Sequence, residues 1–158
     1  MSVAVKSESK TEIAELLKRV AADQFVLYTK VRNYHWNVTG NLFLVLHQVF
    51  EKIYDELAED IDVVAERIRA LGEHAPGTMS EFTKLSRIKE EREGVVPDQI
   101  KMTRNIVSDL TTVVNELKES INRFEDEYQD EVTAGILIDL TEKYEKHIWM
   151  LRATIDEK

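Results

Sequence analysis

The fold is decided by residues 40–72, which read GNLFLVLHQVFEKIYDELAEDIDVVAERIRALG. Apolar side chains recur through this stretch at steps of three and four residues, the period of a helical stripe that is buried against a core. The members of the stripe are Leu46, Phe50, Ile53, Leu57, Ile61, Val64, Ile68 and Leu71. The pattern therefore predicts one long helix between Gly40 and Gly72.

The opposite face of this helix carries polar and small side chains, given a rotation of about 100° per residue. These are His47, Gln48, Glu51, Asp55, Ala58, Asp62, Ala65, Glu66 and Arg69. His47 and Glu51 lie one turn apart, so the two side chains can share an ion. Asp62 and Glu66 have the same spacing, but about 22 Å of helix axis separates the two pairs. One ion cannot be bound by both pairs of the same chain.

A two-fold axis through the middle of the helix would bring the two pairs together. The midpoint between residues 47 and 66 is also the midpoint between residues 51 and 62. An antiparallel copy packed about this point sets each pair opposite the other pair of the partner subunit. Ala58, close to the axis, and Ala65, further out, allow a close approach. This arrangement predicts two equivalent metal sites per dimer, while an ordinary charged helix face is the alternative explanation of the same residues.

Composition favours long helices and excludes several kinds of site. Of 158 residues, 43% are hydrophobic and 32% charged, with only five glycines and two prolines, which is typical of long helices. The absence of cysteine excludes disulfides, thiol nucleophiles and cysteine-ligated metals, and it fits the reducing cytoplasm in which we expect the protein to act. No apolar run approaches the ~18 residues of a membrane span, and the N-terminus lacks the apolar core of a secretory signal.

The same periodicity predicts four long helices and one short connector. The long helices are expected at about residues 11–36, 40–72, 97–124 and 130–155, and the connector at 80–89. Thr78 and Glu81 have the spacing of a capping box before the connector, and Pro97 suits the first turn of the third long helix. The chain is therefore predicted to be all-α, with a flexible tail over residues 1–10 and a single four-helix-bundle domain over residues 11–158.

The last long helix is predicted to bury a stripe that advances mostly in steps of four residues. Its members are Val132, Ile136, Leu140, Tyr144, Ile148, Leu151 and Ile155. His147 lies beside this stripe and has no carboxylate or histidine four residues away. We therefore interpret His147 as a structural residue.

A second histidine strengthens the metal hypothesis. His35 lies near the end of the first helix, and a short turn through Thr39 and Gly40 would keep it within reach of His47. A lone histidine is more often structural, but two histidines that flank one turn, followed by Glu51, favour a metal site. Trp36, beside His35, is interpreted as a packing residue that borders the site.

The chain is acidic, with a formal net charge of −9 at pH 7. Such a surface attracts cations and repels the phosphate backbone of DNA. Carboxylates also gather before the last helix, at Asp126, Glu127 and Asp130. They complement a helix dipole, and in a shell-forming assembly the same residues are candidates for lining an ion pore.

Several stretches taken together resemble the signature of the Dps proteins, the mini-ferritins named as DNA-binding proteins from starved cells. These are His35-Trp36-Asn37-Val38-Thr39-Gly40, Phe43, Leu46-His47, Phe50-Glu51, Ile61-Asp62, Ala65-Glu66-Arg67-Ile68, Leu71-Gly72 and His147-Ile148-Trp149-Met150-Leu151. The resemblance covers about residues 13–154. It implies a ferritin-like four-helix bundle with a short helix in the crossover, assembled into a hollow homododecamer.

The resemblance also implies an iron-storing ferroxidase. Its catalytic and metal-binding residues would be His35, His47 and Glu51 of one subunit, with Asp62 and Glu66 of the partner subunit, at two-fold interfaces. Such an enzyme oxidises Fe(II) to Fe(III), prefers hydrogen peroxide to dioxygen and stores ferric mineral in its cavity, which protects against oxidative stress. Because imidazole and carboxylate suit several metals, zinc or manganese are alternative occupants of the same site.

The second functional hypothesis is a nucleoid or DNA-associated protective protein with a structural or vestigial metal site. It would be favoured by a basic tail, which can bind DNA by releasing counterions. Here Lys6 and Lys10 are offset by Glu8 and Glu12. We therefore predict weak or absent DNA binding.

Overall fold

The computed structural model describes residues 7–157, which form five helices and no strand. The helices are α1 (Ser7–Asn37), α2 (Phe43–Ala70), α3 (Met79–Leu85), α4 (Gln99–Asp126) and α5 (Glu131–Thr154). α1 packs against α2 and α4 against α5, and the crossover that contains α3 joins the two hairpins. The predicted all-α bundle with a connector is confirmed. Within the described range, no helix combines the length and apolar character that a membrane span requires.

The first helix is longer than predicted. α1 begins at Ser7 rather than near Thr11, so residues 7–10 of the predicted tail belong to a helix. Residues 1–6, including Lys6, lie outside the described residues.

The second helix begins three residues later than predicted, because its start is capped from another helix. Gly40 adopts a φ of 116°, and the Leu42 backbone N–H donates to Gln99 Oε1 of α4 at 3.0 Å. A Cβ at Gly40 would lie 2.5 Å from that same Gln99 oxygen. The left-handed backbone therefore favours glycine here, and a larger residue would also displace the Gln99 side chain from the start of α2.

The connector is shorter than predicted, although its capping box is confirmed. The Thr78 side chain accepts from the Glu81 N–H, and the Glu81 carboxylate accepts from the Thr78 N–H in return. α3 ends at Leu85 because Asp23 of α1 captures the next backbone segment. Ser86 Oγ and Arg87 N donate to Asp23 Oδ1 at 2.9 and 2.7 Å.

The third long helix begins at Gln99, not at Pro97. Asp98 is its N-cap, and its carboxylate accepts from the N–H groups of Ile100 and Lys101 at 2.9 Å each. An aspartate N-cap satisfies two otherwise unpaired helix donors, so the proline lies just before the cap.

The core confirms the α2 stripe and corrects the α5 stripe. In α2 the predicted apolar residues are buried, apart from half-buried Ile61. In α5, Val132 is 61% exposed, and the buried positions at this end are Thr133, Ala134 and Leu137. Steps of four residues turn about 400°, so a stripe extended by fours drifts about 40° per step around the helix. The prediction for Val132 was wrong for this reason.

Candidate metal centre

The outward face of α2, defined by His47, Glu51, Asp62 and Glu66, is directed away from the core. His47 is half-buried, and the three carboxylates are exposed. The helix positions this face because its apolar stripe fixes the rotation of α2 against the bundle. The structure therefore leaves these side chains accessible to ions and to another copy of the chain.

His35 and His47 are held together across the α1–α2 turn by a reciprocal pair of hydrogen bonds. His35 Nδ1 lies 2.8 Å from the His47 carbonyl oxygen, and His47 Nδ1 lies 2.9 Å from the His35 carbonyl oxygen. The two rings stack with their centroids 3.8 Å apart and 19° between their planes. His35 is 7% exposed. The predicted proximity of the two histidines is confirmed.

These bonds fix which nitrogen of each ring carries the proton. A carbonyl oxygen only accepts hydrogen bonds, so each Nδ1 must donate. In the neutral imidazole the proton is then on Nδ1, and Nε2 retains its lone pair. A backbone carbonyl that holds one ring nitrogen is the usual support for a histidine that binds metal through the other nitrogen.

An aromatic and cationic cluster supports this pair from inside the chain. The Tyr54 ring lies edge-on to His35, with centroids 5.2 Å apart. The Arg32 guanidinium lies 4.6 Å from the Tyr54 ring centroid and 5.2 Å from that of Trp36. Burial and the nearby Glu51 carboxylate raise the pKa of Tyr54. The tyrosine therefore keeps its proton beside a predicted metal ligand.

Sequence reasoning missed Arg32 and Tyr54. A signal for Arg32 was present, because Tyr28, Arg32 and Trp36 follow one another at four-residue spacing on α1. Arg32 Nη1 donates to the Tyr28 hydroxyl at 2.6 Å. Trp36 is 65% exposed in the single chain and contacts the Arg32 guanidinium, so its interpretation as a packing residue that borders the site stays a prediction.

Asp62 and Glu66 lie further along α2, away from the histidine pair. Both are exposed, and neither forms an ion pair with another side chain of residues 7–157. Within that range no three His, Asp or Glu side chains are close enough to hold a metal ion in one chain. The assignment of all five residues to one shared centre stays a prediction.

A second group of charged residues lies between α2 and α5 and is called the polar α2–α5 contact. It consists of Glu56–His147, Asp60–Lys143 and Arg67–Asp130. His147 Nε2 lies 2.6 Å from Glu56 Oε2 and is 5% exposed. The structural interpretation of His147 is confirmed, although its partner comes from another helix and no local spacing could reveal it.

The three candidate pore residues have different surroundings. Asp126 and Glu127 are exposed at the end of α4. Asp130 is 3% exposed, caps α5 and accepts from Arg67 Nη2 at 2.9 and 3.1 Å. Burial opposes its ionisation, but hydrogen bonds from Thr133 and Arg67 outweigh burial and lower the pKa of Asp130. Its carboxylate is therefore already engaged within the chain.

Known proteins are similar to this chain over most of its length. The family model Ferritin, described as a ferritin-like domain, matches residues 14–158. The DNA protection during starvation protein of Helicobacter pylori is 41% identical over 139 residues, which cover 88% of this chain and 95% of that protein. DNA protection during starvation protein 2 of Bacillus anthracis is 37% identical over 146 residues, which cover 92% and 98%.

A solved structure supports the same relationship. The Dps protein of Vibrio cholerae superposes with a TM-score of 0.90 at 28% identity, over 98% of this chain and 96% of that chain. That protein is described as a member of a broad superfamily of ferritin-like diiron-carboxylate proteins. The similarity therefore extends to the whole bundle, including the crossover.

Proposed function

Since this chain belongs to the Dps family of ferritin-like proteins, and so to a family of iron storage and protection, we propose that it is a ferroxidase. In this proposal it oxidises Fe(II) at centres shared between two subunits and stores the ferric product. The oxidant is hydrogen peroxide, used in preference to dioxygen. The cytoplasmic location expected from the sequence stays a prediction.

One observation carries the proposal, which is the reciprocal bonding of His35 and His47. Because each Nδ1 is occupied by a carbonyl oxygen, two Nε2 lone pairs remain for a metal at the turn between α1 and α2. A histidine that only packs in the core does not require its Nδ1 to be held by a backbone carbonyl. Here two histidines on either side of one turn are both held in this way. Glu51, one turn beyond His47, adds a carboxylate, and mixed ligands of this kind suit Fe(II).

The remaining ligands are proposed to come from Asp62 and Glu66 of the partner subunit. The antiparallel two-fold packing that follows from the residue spacing brings the partner's carboxylates to the histidine pair. Exposure of the outward face supports this packing, because the same surface must serve both subunits. Two ferrous ions at such a centre give one electron each to one peroxide, whose oxygens leave as water or hydroxide without forming hydroxyl radical.

The assembly is proposed to be a hollow dodecamer whose cavity takes up the ferric product. Asp126 and Glu127 are exposed and remain the candidates for an iron-attracting pore. Asp130 is a weaker candidate, because its carboxylate is paired with Arg67. The net charge of −9 supports attraction of cations and weak or absent binding of DNA.

The deciding experiment is an anaerobic Fe(II) titration followed by stoichiometric peroxide. We expect the wild type to form ferric absorbance rapidly and to saturate near two irons per peroxide. His47→Ala combined with Asp62→Ala should abolish the rapid phase, because it removes ligands from both sides of the interface while the apolar stripe of α2 is unchanged.

A matched control replaces the same residue types elsewhere. His74→Ala with Asp139→Ala changes two exposed residues outside the outward face, and we expect wild-type oxidation from this variant. Rapid oxidation by the His47/Asp62 variant would refute the site assignment. Absence of rapid oxidation in the wild type would favour the DNA-associated protective protein instead.

A further inference from the structure

Arg32 of α1 is a half-buried cation that is surrounded by aromatic rings. Its guanidinium carbon lies 4.6, 5.2 and 5.4 Å from the ring centroids of Tyr54, Trp36 and Tyr28. The π faces of such rings attract a cation, but neutral rings carry no net charge. No carboxylate among residues 7–157 forms an ion pair with Arg32. The charge of Arg32 therefore has no counter-charge in the described part of the chain.

The guanidinium also retains most of its hydrogen-bonding capacity. It has five N–H donors and no acceptor. Within the described range, its hydrogen bonding is limited to the bond from Nη1 to the Tyr28 hydroxyl at 2.6 Å. The planar arrangement of the remaining donors matches the two oxygens of a carboxylate. Arg32 is therefore suited to bind a carboxylate that this chain does not itself supply.

The position of Arg32 along the helix hairpin places it beside the candidate metal centre. His35 of α1 lies level with His47 of α2, as their reciprocal hydrogen bonds show. Arg32 precedes His35 by three residues, which is about 4.5 Å along the helix axis. Because α1 and α2 are antiparallel, this step leads from the level of His47 toward that of Glu51 and Tyr54, in agreement with the contact between Arg32 and Tyr54.

The outward face has the complementary deficit, because its carboxylates lack a cation. Asp62 is exposed and has no ion-pair partner among the described residues. In the two-fold packing proposed above, Asp62 of the partner subunit lies opposite Glu51, at the level along the helices where Arg32 is found. An arginine without an anion and a carboxylate without a cation therefore meet at the same level of the interface.

We propose that Arg32 is a positioning residue that donates hydrogen bonds to Asp62 of the partner subunit and orients this carboxylate at the metal centre. This inference rests on the proposed ferroxidase centre. A carboxylate has about four lone-pair positions, so it can accept from Arg32 and bind a metal ion at the same time. Removal of a hydrogen bond to a metal ligand lowers metal affinity by about 10- to 100-fold.

The test is a double-mutant cycle in which Co²⁺ binding is measured by calorimetry and by the visible Co²⁺ spectrum. We expect Arg32→Met to weaken Co²⁺ binding by about 10- to 100-fold and to alter the spectrum, because the carboxylate ligand is no longer oriented. In an Asp62→Asn background, Arg32→Met should change the affinity by less than about twofold, because the two residues act through one contact. Arg32→Lys should lie between wild type and Arg32→Met, since lysine keeps the charge but lacks the planar donors.

Arg123→Met is the matched control, because Arg123 also lies over a tyrosine ring, that of Tyr128, at 5.6 Å, and we expect wild-type Co²⁺ affinity from it.

The sign of the change separates positioning from charge alone. A cation that acted only through its charge would repel Co²⁺, so its removal would raise the affinity. Unchanged or raised affinity in Arg32→Met, or an equal loss with and without Asp62→Asn, would overturn the inference while the metal centre stands. If Arg32→Met does not fold, Arg32→Gln replaces it in the same cycle with the same expected results. Absence of Co²⁺ binding in the wild type would overturn the proposed centre and this inference together.

Discussion

The outward face and the polar α2–α5 contact both take acidic residues from α2, yet these carboxylates have different surroundings. On the outward face, Asp62 and Glu66 are exposed and form no ion pair with the described residues. In the polar α2–α5 contact, Asp60 is buried and paired with Lys143 from α5. Position on the helix, rather than residue type, separates the two groups.

This difference distinguishes carboxylates that are available for ligands from carboxylates that hold the bundle together. A buried carboxylate requires its partner, and removal of that partner leaves an uncompensated charge. Leaving an exposed carboxylate unpaired costs little free energy, because water solvates it. The comparison therefore predicts that substitutions in the polar α2–α5 contact change stability, while substitutions on the outward face change iron chemistry.

The largest expected effect is that of Arg67→Met. This change leaves the Asp130 carboxylate, 3% exposed, without its cation. We expect the free energy of unfolding to fall by about 3 kcal/mol at neutral pH, measured by denaturant titration.

The loss of stability in Arg67→Met should depend on pH. The folded-state pKa of Asp130 is lowered, so its stabilisation is present above the unfolded pKa of about 3.9 and is lost as pH falls through the folded value. The loss caused by Arg67→Met should therefore shrink in acid. Arg69→Met, an exposed neighbour on α2, is the control, and an equal loss in both variants would contradict the assigned role of the ion pair.

A paired substitution on α2 tests the comparison directly. Glu66→Gln should slow peroxide-dependent iron oxidation by on the order of 100-fold and leave the unfolding free energy within about 0.5 kcal/mol of wild type. Asp60→Asn should cost about 2 kcal/mol, because Lys143 and Tyr144 lose a charged acceptor, and should retain rapid oxidation. Stopped-flow absorbance measures the oxidation rate of both variants, and denaturant titration measures their stability. An Asp60→Asn variant that oxidises iron slowly but is as stable as the wild type would contradict the separation between the two groups of carboxylates.

The sequence supported the four long helices, the connector and the proximity of His35 and His47, because these depend on local periodicity and turn residues. It did not reveal contacts made across the bundle. The start of α2 depends on Gln99 of α4, and the end of α3 depends on Asp23 of α1. Such contacts join residues that are distant in the chain, and no spacing rule encodes them.

The same limit applies to the candidate site. His47, Glu51, Asp62 and Glu66 could be grouped from helical spacing and two-fold symmetry alone. Tyr54 could not, because it is defined by its edge-on contact with a histidine of another helix. Asp130 illustrates the opposite case, since its sequence context allowed both a helix-start residue and a pore residue, and its carboxylate caps α5 and is engaged by Arg67.

The smallest predicted effect concerns Tyr54, which we regard as a residue that positions His35. Tyr54→Phe keeps the ring against His35 but removes the hydroxyl beside Glu51. We expect about a tenfold loss of Co²⁺ affinity without a comparable change in stability, whereas Tyr54→Leu, which also removes the ring, should weaken binding further and alter the visible Co²⁺ spectrum. Tyr28→Phe is the control, because it removes a hydroxyl that contacts Arg32. If Tyr28→Phe lost as much Co²⁺ affinity as Tyr54→Phe, the effect would be assigned to Arg32 rather than to Glu51.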